Sequence, residues 1–141
     1  MFTGCSNSET NSTSRGLTDF AHIEEEYLAT IDSLNWPDGI TLPDKLEDED
    51  TGASFQVGYG ETRASYLWEY SWMKEWLDTY NTDPERAEKA LEELEKAFDM
   101  PYMGIDRCDD ATRNYLRENI DKAKLGDPSG FTESIRANYA N

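Results

Sequence analysis

The sequence is poor in basic residues and contains no long apolar run. Among its 141 residues, 13 are Lys or Arg and 30 are Asp or Glu, which gives a net charge of −17 at pH 7. A charge of this sign and size repels the phosphates of nucleic acids, so we predict no binding to nucleic acid. A membrane-spanning helix needs about 20 consecutive apolar residues, and the chain has no such stretch.

Histidine and cysteine are also scarce. His22 is the one histidine, so a site built from several histidines is excluded within one chain, and we predict no cofactor. The two cysteines are Cys5 and Cys108. An exported chain could join them in a disulfide, or Cys108 could be a small buried hydrophobic residue with a free thiol. We favour the second interpretation for Cys108.

Aromatic residues are abundant, at 12% of the chain, with 4 Trp, 8 Tyr and 5 Phe. They predict an aromatic-rich core. The composition changes once, near Leu17, from a Ser/Thr/Asn-rich stretch to sequence with periodic apolar residues. We therefore divide the chain into a flexible polar segment at 1–17 and a single helical domain at 18–141.

The N-terminal residues Phe2-Thr3-Gly4-Cys5 are followed by a run of serine, threonine and asparagine. This segment resembles the lipobox and tether of a bacterial lipoprotein. The resemblance implies cleavage before Cys5, a lipid on the Cys5 sulfur, and an exported protein anchored at the cell envelope. Because no apolar stretch approaches the length of a membrane-spanning helix, we expect any membrane association to come only through a lipid on Cys5.

Apolar positions at three- and four-residue steps predict four or five helices. Helix-capping aspartates and turn-forming Pro and Gly place them at about 18–34, 61–80, 84–98, 110–125 and 129–139. The stretch at about 37–60 shows no sustained periodicity and is predicted to be a long irregular loop, with a short extended piece near 54–57. The fold class is therefore all-α, a small bundle or array of helices.

Two finer features concern the later helices. On the third helix, Glu85/Lys89 and Glu92/Lys96 have the spacing of four-residue ion pairs on an outer face. On the fourth helix, Tyr115 falls with the inward-facing residues Leu116, Ile120 and Ala123.

The second predicted helix carries the candidate site. Its apolar arc contains Glu69, and a carboxyl group there would be desolvated, which raises its pKa toward that of a general acid. Tryptophans that stack on sugar rings beside such an acid are typical of glycan-active hydrolases. The structural alternative, which we favour, is a buried Glu hydrogen-bonded to a tyrosine or paired with an arginine. The candidate ligand-binding residues around it are Trp68, Trp72, Trp76, Tyr66 and Tyr70.

The acidic loop offers candidate metal ligands in Asp48 and Asp50, whose carboxylates suit calcium. Counting from either residue, however, the ligand positions and the turn glycine of an EF-hand do not fall in place. We favour a solvated, charged loop over a metal site.

Together these patterns predict an exported, acidic, helical binding module at the cell envelope rather than an enzyme. Its partner would be an envelope protein or a glycan. One alternative is a glycan-active hydrolase that uses Glu69 within the tryptophan cluster. Another is an acidic helical decoy that blocks a basic protein, which the negative charge would favour.

Overall fold

The computed structural model describes residues 16–139 and contains five α-helices and one two-stranded sheet. Two short 3-10 turns, Lys96–Asp99 and Pro101–Met103, connect the third and fourth helices. The all-α class and the number of helices are confirmed. In order along the chain, the elements are β1 (Leu17–Thr18), α1 (Phe20–Ser33), β2 (Phe55–Gln56), α2 (Tyr59–Thr79), α3 (Pro84–Glu95), α4 (Asp110–Lys124) and α5 (Ser129–Asn138). None of the helices within the described range is long and apolar enough to cross a membrane.

The helix starts follow from local chemistry. Asp19, Asp83 and Asp109 precede α1, α3 and α4, and each side chain accepts a hydrogen bond from the backbone N–H three residues later. Each bond satisfies one of the donors that the first turn of a helix leaves unpaired. At the end of α4, Gly126 has a φ of 82°, a conformation that glycine adopts without strain.

Helix α2 lies at the centre of the fold. It packs against α1, α3, α5 and the second 3-10 turn. Twelve of its 21 residues are buried, so nearly every side of the helix must be covered. One apolar cluster covers the side facing α1, with Ile23, Tyr27, Ile31, Leu46 and Ala64 at its centre. The larger cluster fills the space between α2 and the three later helices.

The start of α2 is fixed against α1. The carboxylate of Glu26 accepts hydrogen bonds from the backbone N–H of Gly58, at 2.9 and 3.0 Å, and of Gly60, at 3.0 Å. A negative charge at this end also complements the helix dipole. A Cβ atom on Gly60 would lie 1.9 Å from the carbonyl oxygen of Ile23. The two helices can cross this closely only because residue 60 is a glycine.

The long connection between α1 and α2 is irregular, as predicted, but acidic side chains hold it in place. Glu24 accepts a hydrogen bond from the backbone N–H of Leu46 at 3.1 Å. Glu49 accepts one from the Tyr59 hydroxyl at 2.6 Å and pairs with Arg63. The predicted extended piece is β2, which pairs with β1 so that Leu17 faces Gln56 across the sheet.

Two finer predictions for the later helices are wrong. Tyr115 is 38% exposed rather than turned inward. Lys89 and Lys96 do not pair with Glu85 and Glu92, because both lysines reach Glu93, at 3.2 and 2.9 Å. Glu93 is 1% exposed, and a carboxylate that is buried to this degree needs cationic partners. Solvent-exposed glutamates such as Glu85 and Glu92 do not need them, because water solvates the charge.

We predict that Gly60→Ala lowers the free energy of unfolding by about 3 kcal/mol, because the new methyl group forces α1 and α2 apart. Urea unfolding measures this loss. Gly52→Ala is the matched control, since the nearest atom to its added Cβ is 3.5 Å away, at ordinary contact distance. Equal stability of the two variants would contradict the close helix crossing.

Candidate functional site

Glu69 lies on α2 with 6% of its surface exposed. The hydroxyl of Tyr102, from the second 3-10 turn, donates a hydrogen bond to Glu69 Oε1 at 2.6 Å. Burial raises the pKa of Glu69 to about 7, although hydrogen bonds from Tyr102 and Tyr139 act in the opposite direction. The expected hydrogen bond between a buried Glu69 and a tyrosine is thus present.

Three tyrosines from three parts of the chain surround this carboxyl group. Tyr66 meets the Tyr102 ring edge-on, with ring centres 5.3 Å apart, and Tyr139 follows α5 and packs on Tyr70 at 5.0 Å. Burial, followed by the negative charge of Glu69, raises the pKa of Tyr66, Tyr102 and Tyr139. These hydroxyls therefore keep their protons at neutral pH and can donate to the carboxylate.

A carboxyl group that titrates near neutral pH could in principle act as a general acid. Glycoside hydrolysis by the common mechanism needs a second carboxylate about 5 to 10 Å away. Besides burial, the groups that shift the pKa of Glu69 are two tyrosines, Tyr102 and Tyr139. Its hydrogen bond with Tyr102 is that of a buried group that ties α2 to the 3-10 turn.

The three candidate tryptophans are core residues, exposed by 1% for Trp68, 4% for Trp72 and 3% for Trp76. The indole N–H of Trp72 donates to the backbone oxygen of Asn35 at 3.0 Å. Trp76 stacks on Tyr80 with ring centres 4.4 Å apart. A sugar needs an exposed ring face, and the surfaces of these rings are already covered by protein. Tyr66, at 5% exposure, is covered in the same way.

Tyr70 differs from the other aromatic candidates because it lines an open groove of about 240 Å³. The groove lies between α2 and the start of the long connection, where Pro37 and Ile40 form its other wall. Two of its three carboxylates, Glu75 and Asp78, pair with Arg86 and Lys74, and the third is Asp38.

Two side chains, His22 and Arg107, support the start of α2, and these contacts were not predicted from the sequence. His22 is exposed, and its Nε2 lies 3.1 Å from Glu26 Oε2. Arg107 is 8% exposed and reaches Glu61 at 3.1 Å and the backbone oxygen of Gly58 at 3.0 Å. Arg107 comes from an aperiodic connector, so no pattern in the sequence indicated that it would be buried.

The candidate metal ligands are not brought into a cluster. Within residues 16–139, no group of three or more His, Cys, Asp or Glu side chains is placed to hold a metal ion. Asp48 has a positive φ of 65°, and Asp50 accepts a hydrogen bond from the backbone N–H of Gly52 at 2.9 Å. Both residues serve the turns of the long connection.

Cys108 is buried, as expected, but the prediction of a free thiol is wrong because the residue is disulfide-bonded. Its Sγ lies 3.7 Å from the sulfur of Met103. The chain has only one other cysteine, Cys5, which lies outside the described residues together with the rest of the predicted lipobox.

Comparisons of the chain with protein-family models, with curated proteins and with solved structures found no significant match.

We predict that the wild-type free energy of unfolding falls by up to about 3 kcal/mol as the pH rises from 4.5 to 7 and above. The pKa of Glu69 is higher in the folded state than in the unfolded state. Between the two pKa values, Glu69 is therefore protonated mainly in the folded state, and this protonation stabilises the fold. The stabilisation is lost as the pH rises and the folded state releases the proton. Glu69→Gln keeps the shape and removes the titration. At pH 8 the variant is expected to be the more stable protein, and at pH 5 the difference should nearly vanish.

Urea unfolding of both proteins at pH 5 and pH 8 tests this prediction. The difference between the two proteins cancels the effect of other groups that titrate in the window. Glu25→Gln on α1 is the matched control, because that glutamate is exposed. A wild-type minus Glu69→Gln difference that stays constant with pH would contradict the burial of an ionisable Glu69.

Proposed function

We propose that this chain is an exported, acidic binding module that works at the cell envelope. The observation that carries the proposal is the disulfide at Cys108. Disulfides persist in oxidising compartments outside the cytoplasm and are rare as structural bonds within it. The location inferred from the disulfide agrees with the one implied by the lipobox resemblance at Phe2-Thr3-Gly4-Cys5, and both inferences involve Cys5.

The two modifications of Cys5 exclude each other on one molecule. A thioether-linked lipid uses the same sulfur that a disulfide between Cys5 and Cys108 requires. The disulfide therefore supports export and competes with lipid attachment. In the lipid-bearing form, Cys108 would be a thiol and the residues that precede the sheet would be a tether. In the disulfide form, that segment would be fastened to the helical domain.

Binding is favoured over catalysis because the side chains that could take part in a reaction are buried in the core. Glu69 is enclosed by tyrosines, and the three tryptophans of α2 are covered. A hydrolase that used Glu69 would have to open the core to admit a glycan. A binding module needs only its outer surface, which bears most of the charge of −17. That charge also suits the alternative of a decoy for a basic protein, which differs in its cytoplasmic location.

We predict that protein purified from its own host is found outside the cytoplasm and carries Cys5 in one of two forms. Cell fractionation followed by intact-mass and peptide mass spectrometry checks this. A diacylglyceryl group on Cys5, with cleavage before it, identifies the lipid-anchored form. A Cys5–Cys108 linked peptide identifies the disulfide form. Either result supports export.

A cytoplasmic chain with both cysteines reduced and unmodified would contradict the export proposal and favour the decoy. The hydrolase alternative has its own test, since Glu69→Gln should abolish glycan cleavage while leaving the fold intact. Retained cleavage of a glycan by that variant would exclude Glu69 as the acid.

A further inference from the structure

A second groove, of about 560 Å³, runs along the outer side of α3 toward the end of α4. It is lined by Pro84, Glu88, Leu91, Glu92, Glu95 and Lys124. The five residues from α3 recur at three- and four-residue steps, so they form one continuous stripe along the helix. Pro84 and Leu91 give the groove an apolar floor, and the glutamates form its rim.

The carboxylates along this rim differ in whether they are neutralised. Glu95 pairs with Arg117 at 2.9 Å and with Lys124 at 2.6 Å. Glu88 and Glu92 make no ion pair with any described residue, since the nearby Lys89 and Lys96 are both held by the buried Glu93. The groove therefore presents two unneutralised carboxylates, four residues apart, next to the apolar side chain of Leu91.

We propose that this groove docks a cationic amphipathic segment of another protein. The proposal rests on the function proposed above, since it names the partner surface of the binding module. Two basic side chains one helical turn apart, about 6 Å along a helix axis, would match Glu88 and Glu92. An apolar side chain between them would sit against Leu91.

Other occupants fit the groove less well. A second copy of this chain carries the same net charge of −17 and would be repelled, and so would an anionic lipid surface. The groove beside Tyr70 has three carboxylates, of which Glu75 and Asp78 pair with cations of the same chain, so Asp38 is its one carboxylate without an ion-pair partner among the described residues. The α3 groove is favoured for a cationic partner because two of its carboxylates, one helical turn apart, lack ion pairs within the described residues.

Fluorescence anisotropy with purified full-length protein tests the proposal. The probe is a labelled synthetic helical peptide with lysines four residues apart and a leucine three residues after the first lysine of each pair. The wild-type protein is expected to bind it at about 20 mM NaCl and to lose about tenfold in affinity at about 200 mM. Neutralising the rim by Glu88→Gln with Glu92→Gln is expected to weaken binding about tenfold at low salt.

The matched control is Glu25→Gln with Asp32→Asn, which removes the same number of charges from exposed positions on α1. The peptide affinity of this control is expected to lie within about twofold of the wild-type affinity, because the two substitutions change only the long-range electrostatic field. Leu91→Ala, which changes no charge, is expected to weaken binding about threefold through the lost apolar contact. Circular dichroism checks that each variant is folded.

Failure of the wild-type protein to bind the peptide at low salt would overturn the proposal. Equal weakening by the α3 and α1 double variants would also overturn it, since the peptide would then respond to net charge alone. Neither result bears on export, which is read from fractionation and mass, so failure of the groove and failure of the proposed function are distinguishable.

Discussion

The fold depends on the burial of α2. A helix with twelve of 21 residues buried exposes too much apolar surface to stand at the edge of a domain, so other elements must cover it on several sides. Helix α1 does so on one side and α3, α5 and a 3-10 turn do so on others. The closeness of α1 is set by Gly60, and the position of the helix start is set by Glu26 and Arg107.

An ionisable group at the centre of such a core lowers the stability of the folded state. Burial raises the pKa of Glu69 to about 7, so part of its population is ionised at neutral pH, where a carboxylate in an apolar environment is unfavourable. The hydroxyl of Tyr102 reduces this cost by donating a hydrogen bond to the carboxylate, and this bond links the 3-10 turn to α2. Glu69 and the tryptophans therefore stabilise and orient the core, and the binding function that we propose would use the outer surface.

Much of this arrangement could be read from local sequence. The aspartates before α1, α3 and α4 indicated where these helices begin. The helical periodicity predicted that Glu69 is buried, with a tyrosine as one expected partner. The identity of that partner could not be predicted, because Tyr102 lies 33 residues away in an aperiodic turn. The burial of Arg107 could not be predicted for the same reason. The ion pairs of α3 were predicted wrongly because the burial of Glu93 depends on tertiary packing, which residue spacing alone does not show. The disulfide at Cys108 likewise depends on long-range geometry.

Native-state hydrogen exchange of the α2 backbone amides tests the central claim most directly. If α2 is a closed structural core, its amides from about residue 64 to residue 76 exchange only through global unfolding, with protection that matches the unfolding free energy from urea titration. If Glu69 and the tryptophans instead form a site that opens to a ligand, these amides would exchange through a partial opening several kcal/mol below global unfolding. That result would contradict the account and return α2 to consideration as an active site.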